Sequence, residues 1–302
     1  MKAVVYFFII LVPCLVVLIA AEVIFTKTQF GRERFNKNID PEPYVATTNK
    51  QGFRARTADV IYGKNSGGYF RIICLGDSFT YGHGVADDKT YPVFLEKYLE
   101  GIYQRKAQVI NAGVCGATIT EELDMYTNNC AQLQHDLAIL LFHWRDISGD
   151  FTRLLLFKTK ERHDWGTDKF LHWSKVYSLI KLKILQQQES YAESYYKKHK
   201  EYIINKYLEN VRSLNRMVKS KDAVLVVVIF SDEADDKILK NFCMGENISV
   251  IDIHKEYAER AAKGGILLAY HHNEAGNDFL AKLIAQKSQS FSNSLAGHGR
   301  DR

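Results

Sequence analysis

Five short runs of almost purely apolar residues constrain this chain more than any other feature: Tyr69 to Leu75, Gln108 to Ala112, Leu137 to Phe142, Ala223 to Phe230 and Ser249 to Ile253. A strand with one wet face alternates polar and apolar residues. A run without that alternation has to be covered on both faces. The intervening stretches have helical periodicity over Tyr91–Tyr103, Thr120–Gln132, Glu201–Ser220, Asp232–Phe242 and Asn273–Lys287. Strand and helix alternating in this way predict an α/β fold: a three-layer α/β/α sandwich around a mainly parallel five-stranded sheet. In such sheets ligands bind beyond the carboxyl ends of the strands. Candidate chemistry is therefore sought just after each run.

The remaining chain divides around this core. Residues 1–25 hold an apolar run, Ala3 to Ala21, without a single charge. Nineteen residues at helical rise span roughly 28 Å, close to the ~30 Å of a bilayer's hydrocarbon core. Leu18-Ile19-Ala20 matches a signal-peptidase site poorly, and apolar residues resume at Val23, so an uncleaved transmembrane signal anchor is expected. Only Lys2 precedes the run, whereas Lys27, Arg32 and Arg34 follow it; charge counting alone would leave the remainder in the cytoplasm. Residues 26–68 read as an extended lead-in and 69–290 as the main domain. That domain carries a helical insertion at about 148–200, rich in lysine and tyrosine, and residues 291–302 read as a flexible tail.

Several function classes are disfavoured. The net charge of +5 is spread rather than gathered into a patch, so no nucleic-acid partner is expected. The five cysteines, Cys14, Cys74, Cys115, Cys130 and Cys243, have neither disulfide nor metal spacing. There is no phosphate loop, dinucleotide fingerprint or spaced His/Cys set, so neither cofactor nor metal is expected.

The first apolar run ends in Gly76-Asp77-Ser78-Phe79-Thr80-Tyr81-Gly82. A serine in a glycine-punctuated turn between strand and helix displays its hydroxyl at the strand's carboxyl end. Its N–H lies at a helix start, where a developing anion is stabilised. Asp77 reads as a structural turn residue. Further along come Asn111-Ala112-Gly113-Val114-Cys115-Gly116 after the second run, His143-Trp144-Arg145-Asp146 after the third, and His271-His272-Asn273-Glu274-Ala275-Gly276 before the last helix.

These blocks, in this order, resemble the SGNH (GDSL) hydrolases, and in particular bacterial cell-envelope members with an N-terminal membrane anchor. The likeness runs from about Asn49 to Gln286 and includes the Asn49–Arg54 lead-in. It implies a flavodoxin-like SGNH fold and a serine esterase. The substrate would be an acylated carbohydrate or other small ester, such as the O-acetyl groups of an envelope glycan. It also implies a single-pass protein of the inner or plasma membrane with its catalytic domain outside the cytoplasm. Ser78 would attack the ester carbonyl and His271 would act as general base, with the N–H groups of Ser78 and Gly113 holding the oxyanion.

Two positions depart from the family pattern. Arg145 stands where an asparagine oxyanion donor is expected, and Leu268 where an aspartate would orient the histidine. A backbone carbonyl, Glu274 or a more remote acid is a candidate substitute, His272 competes with His271 for the base role, and His143 and Asp146 are further candidate site residues. These departures keep two alternatives open: a catalytically degenerate SGNH-fold binding or scaffold protein, and an O-acetyltransferase.

Overall fold

The computed structural model describes residues 45–65, 68–143, 147, 175–230, 236–267 and 271–288, with five helical residues between 16 and 23. The chain divides into two compact units, Met1–Ile39 with Phe151–His199, and Asp40–Asp150 with Lys200–Arg302. In the first unit the described backbone is mainly helical and includes the start of the long helix over Lys175–Lys219, whose backbone leaves helical geometry at His199. Most of the 1–25 run, the first part of the 148–200 insertion and the 291–302 tail lie outside the described residues. Among the described residues no helix is long and apolar enough to cross a membrane.

The second unit contains the sheet. Its elements run β1 (Phe70–Leu75), α1 (Ser78–Tyr81), a 3₁₀ turn (Asp87–Lys89), α2 (Tyr91–Tyr103), β2 (Ala107–Asn111) and α3 (Ile119–Met125), then β3 (Leu137–Phe142). The long helix, α4 (Lys175–Lys219), contributes its residues from Lys200 onward, then come β4 (Val224–Ile229), α5 (Asp236–Gly245), β5 (Ser249–Asp252), α6 (His254–Ala262) and α7 (Glu274–Ser288). All five expected strands form, and every pairing is parallel, in the order β2-β1-β3-β4-β5. Ile72 of β1 pairs with Val109 on one side and Leu137 on the other.

Strand side chains alternate between two helical layers, as the period of two requires. Ile72 and Cys74 of β1, Val109, Ile139 and Val228 share one core cluster with Tyr91, Leu95 and Leu99 of α2 and Leu280, Ala281 and Ile284 of α7. On the other face Phe142 meets Tyr207 of α4 edge-on, ring centroids 5.6 Å apart. The edge strand β2 is closed by side chains of α2: the Ala107 N–H donates to Glu100 and the Val109 N–H to Glu96. This is one way to blunt an exposed sheet edge.

One helix and the lead-in differ from expectation. The helix read over Thr120–Gln132 stops at Met125 and passes into a π turn over Tyr126–Cys130. There the Thr127 hydroxyl bonds back to the Leu123 carbonyl and two asparagines follow, residues that compete with regular helix geometry. The lead-in is also more ordered than an irregular extension. Asn49, buried, accepts the N–H groups of Gln51 and Phe53 and donates to Val60, which folds residues 49–60 into a compact strap.

The strand order fixes where a ligand fits. From β1 the chain goes to β2 on one side and returns to β3 on the other, so the topological switch point lies at the carboxyl end of β1. Ser78 stands there.

Candidate active site

The serine turn is built by its neighbours. Asp77 caps α1 by accepting the Phe79 N–H at 2.9 Å, which is the structural role read from the sequence. Gly76 has φ +150°, and a Cβ there would strike the Thr80 side chain, so only glycine fits the step from β1 into the turn. Across the crevice the chain after β2 runs alongside. The Val114 N–H donates to the Gly76 carbonyl, and Gly113 approaches so closely that a Cβ would strike the Tyr81 backbone nitrogen. The Ser78 N–H is at the first position of α1, where helix donors lack an intrahelical acceptor.

The histidine arrives from the opposite end of the chain. Leu267 and His272 form an antiparallel bridge, the Asn273 N–H donates to Ile266, and Asn273 Oδ1 accepts the Gly276 N–H at the start of α7. This tight connection brings His271 Nε2 to 2.9 Å from Ser78 Oγ. With its proton on Nδ1, the neutral ring accepts the serine hydroxyl hydrogen at Nε2.

The two adjacent histidines are thereby separated in character. His272 is 2% exposed and packs among Phe79, Phe230 and Tyr257. Its Nε2 bonds the Tyr257 hydroxyl at 2.7 Å, and among the described residues its Nδ1 has no hydrogen-bond partner. Burial, reinforced by the neighbouring His271 and His143, pushes its pKa down to about 3, so at neutral pH it is an uncharged core residue. His143 joins the same aromatic group, its ring stacked at 5.6 Å on Phe230 and 5.1 Å from Phe79. It is His271 alone of the three that hydrogen-bonds Ser78.

Other expected members stand differently. The Gly113 N–H, expected to face the oxyanion, donates instead to Asn111 Oδ1 at 3.0 Å, because that amide two residues earlier reaches it first. Glu274, a candidate orienting acid, is turned to Lys89 at 2.6 Å on the surface. Arg145, Asp146 and Leu268 lie outside the described residues. Among the described residues no group of three or more His, Cys, Asp or Glu side chains is placed to hold a metal ion.

Sequence reasoning assigned no role to two further residues. Arg54, with its side chain 2% exposed, pairs with Asp87 at 2.9 Å. It donates to the carbonyls of Tyr81, Gly82 and Val85 at 2.7, 2.5 and 2.6 Å, gripping the turn after α1. The only sequence signal for it was its place in the Asn49–Arg54 segment. His83, between Gly82 and Gly84 of that turn, lies with its ring centroid 4.7 Å from that of His271. Beside it is the exposed Cys115, its sulfur 3.9 Å from His83 Nδ1. Partial burial, reinforced by Asp77, raises the Cys115 thiol to about 11, so it stays protonated at neutral pH.

No protein-family model matches the chain, and no curated protein matches it. Among solved structures, Axe2, an acetylxylan esterase from Geobacillus stearothermophilus, is similar over 72% of this chain and 93% of its own, at 14% identity and TM-score 0.45. The acetyl xylan esterase AlAXEase is similar over 72% and 98%, at 17% identity and TM-score 0.45. TesA is similar over 73% and 98%, at 11% identity and TM-score 0.46. At such scores these are likenesses and nothing more, and the chemistry of the site has to come from the chain's own atoms.

Proposed function

We propose that this chain is a serine esterase of the SGNH type, with Ser78 as nucleophile and His271 as general base. The observation that carries the reading is the 2.9 Å contact between Ser78 Oγ and His271 Nε2 at the switch point of the sheet. A hydroxyl is a weak nucleophile at its free pKa and needs a base within hydrogen-bond reach. As Oγ attacks the ester carbonyl, Nε2 takes its proton. The tetrahedral oxyanion forms beside the start of α1, where the Ser78 N–H is its first donor, and Arg145 is the proposed second. The imidazolium then returns the proton to the departing alkoxide, leaving an acyl-Ser78. Water completes hydrolysis, with His271 again as base; an acceptor hydroxyl in its place completes a transfer.

For the substrate we propose O-acetyl groups of an envelope glycan. The support is the sequence likeness to envelope SGNH proteins and the Ala3–Ala21 run, which we propose anchors the protein in the membrane with this domain outside the cytoplasm. A scaffold reading has one specific support, the leucine at position 268, where the family pattern has an acid.

The test uses the full chain in detergent, with short-chain aryl acetates, acetylated glycan and a fluorophosphonate. Wild type is expected to turn over and to label at Ser78, and Ser78→Ala to do neither. Equal turnover by the two proteins would remove Ser78 from the mechanism, and absence of turnover and labelling in wild type would favour the scaffold.

A further inference from the structure

The ring that meets Ser78 is bordered by two other rings. The His271 centroid lies 4.7 Å from that of His83 and 5.5 Å from that of Phe79. Both neighbours belong to the same short segment as the serine. Phe79 follows it directly, and the His83 N–H donates to the Ser78 carbonyl at 3.0 Å. The backbone that carries the hydroxyl and both rings is therefore one short hydrogen-bonded turn.

That piece is fixed from behind. The guanidinium of Arg54 holds the carbonyls of Tyr81, Gly82 and Val85, residues that flank His83 on both sides. Asp87 holds the guanidinium in turn. The Arg54 backbone is itself tied to the sheet, donating to the Asn111 carbonyl at the end of β2. A fork of five donors locks several carbonyls at once, which a lysine's point charge does not do. The backbone carrying His83 is thus registered against the sheet, with the His83 ring centroid 4.7 Å from that of His271.

We propose that His83 is a positioning residue. Its ring, set by the Arg54 clamp, holds the imidazole of His271 in the rotamer whose Nε2 meets Ser78 Oγ. In the usual triad a carboxylate performs this orienting task through a hydrogen bond. Ring contact with His83 and Phe79 restricts rotation of the His271 side chain as well, whatever else the imidazole meets. The inference rests on the Ser78–His271 reading above. A ring pair of this kind biases a rotamer by roughly 3- to 10-fold.

The test compares wild type, His83→Ala, His83→Phe and Ser78→Ala as full-length proteins. Steady-state rates on an aryl acetate, the rate of fluorophosphonate labelling and the thermal unfolding midpoint are measured for each. His83→Ala is expected to lose roughly 3- to 10-fold in kcat and in labelling rate, with KM and unfolding midpoint near wild type. His83→Phe, which keeps a planar ring, is expected to restore most of both rates. Wild-type rates in His83→Ala would overturn the proposal. So would a Phe variant as slow as the Ala variant, since the ring would then not be what matters. Turnover that survives in Ser78→Ala would overturn the esterase reading itself, and the positioning role with it, a result distinguishable from failure at His83 alone.

Discussion

The buried, uncharged His272 makes the fold sensitive to acid in a way that is open to calculation. In the unfolded chain a histidine titrates near 6.5. In the folded protein burial first, then the neighbouring His271 and His143, push His272 down to about 3. Above about pH 6.5 neither state binds a proton there and the packing of this ring contributes in full. As pH falls below that value the unfolded chain gains a proton that the folded chain refuses, so stability declines by about 1.4 kcal/mol per pH unit until the folded pKa is reached. Between pH 6.5 and 4.5 the decline is roughly 2 kcal/mol, a large part of an ordinary domain's stability. The perturbation that isolates it is His272→Gln, which keeps a polar group for the Tyr257 hydroxyl but has no charge to gain. Urea unfolding followed by far-ultraviolet circular dichroism, at half-unit steps from pH 7 to 4.5, gives both curves. The variant is expected to be less stable at pH 7 by about 1–3 kcal/mol. Its decline with acid is expected to be shallower by about 1.4 kcal/mol per unit. Carboxylate protonation is common to both proteins and cancels in the difference. Parallel curves would refute the reasoning, because they would mean that His272 accepts a proton in the folded protein without penalty.

Two further outcomes follow from the turn after α1. Arg54→Met leaves Asp87, with a side chain 9% exposed, as a partly buried charge without its partner and three carbonyls without their donor; a loss of about 3–5 kcal/mol is expected by denaturant titration, with Arg54→Lys recovering little of it. Gly113→Ala drives a methyl into the Tyr81 backbone; a cost of about 1–3 kcal/mol and a fall in kcat larger than any change in KM are expected, since the displaced segment carries Ser78.

How much of this the sequence carried depended on whether a feature was local. The five strands were readable because strands buried on both faces are apolar throughout, and β1, β3 and β4 are buried along nearly their whole length. Helix α6, by contrast, buries none of its residues and so has no apolar stripe to betray it. The four residues of α1 are too few for any period to show. Within the site, the serine turn announced itself through its glycines, whose close contacts leave no alternative. The choice between His271 and His272 depended on which ring faces the crevice and which faces the core, and adjacent residues differ in that only through tertiary packing. Arg54 grips carbonyls 27 to 31 positions away, and carbonyls have no side-chain signature. The ring packing around His271 had no signal in the sequence, because Phe79 and His83 become its neighbours only in three dimensions.

The pairing of Ser78 with His271 spans 193 positions of the chain. Ribosomes add about 5–20 residues per second, so on the order of ten to forty seconds of synthesis separate the two side chains. Throughout that interval the nascent protein holds an ordinary alcohol, inert toward any ester it meets. On the proposed mechanism, reactivity appears only when the segment leading into α7 brings His271 to Ser78. Under the proposed mechanism, completion of the fold and acquisition of a nucleophile are in that sense one event, and a chain interrupted before His271 is chemically silent.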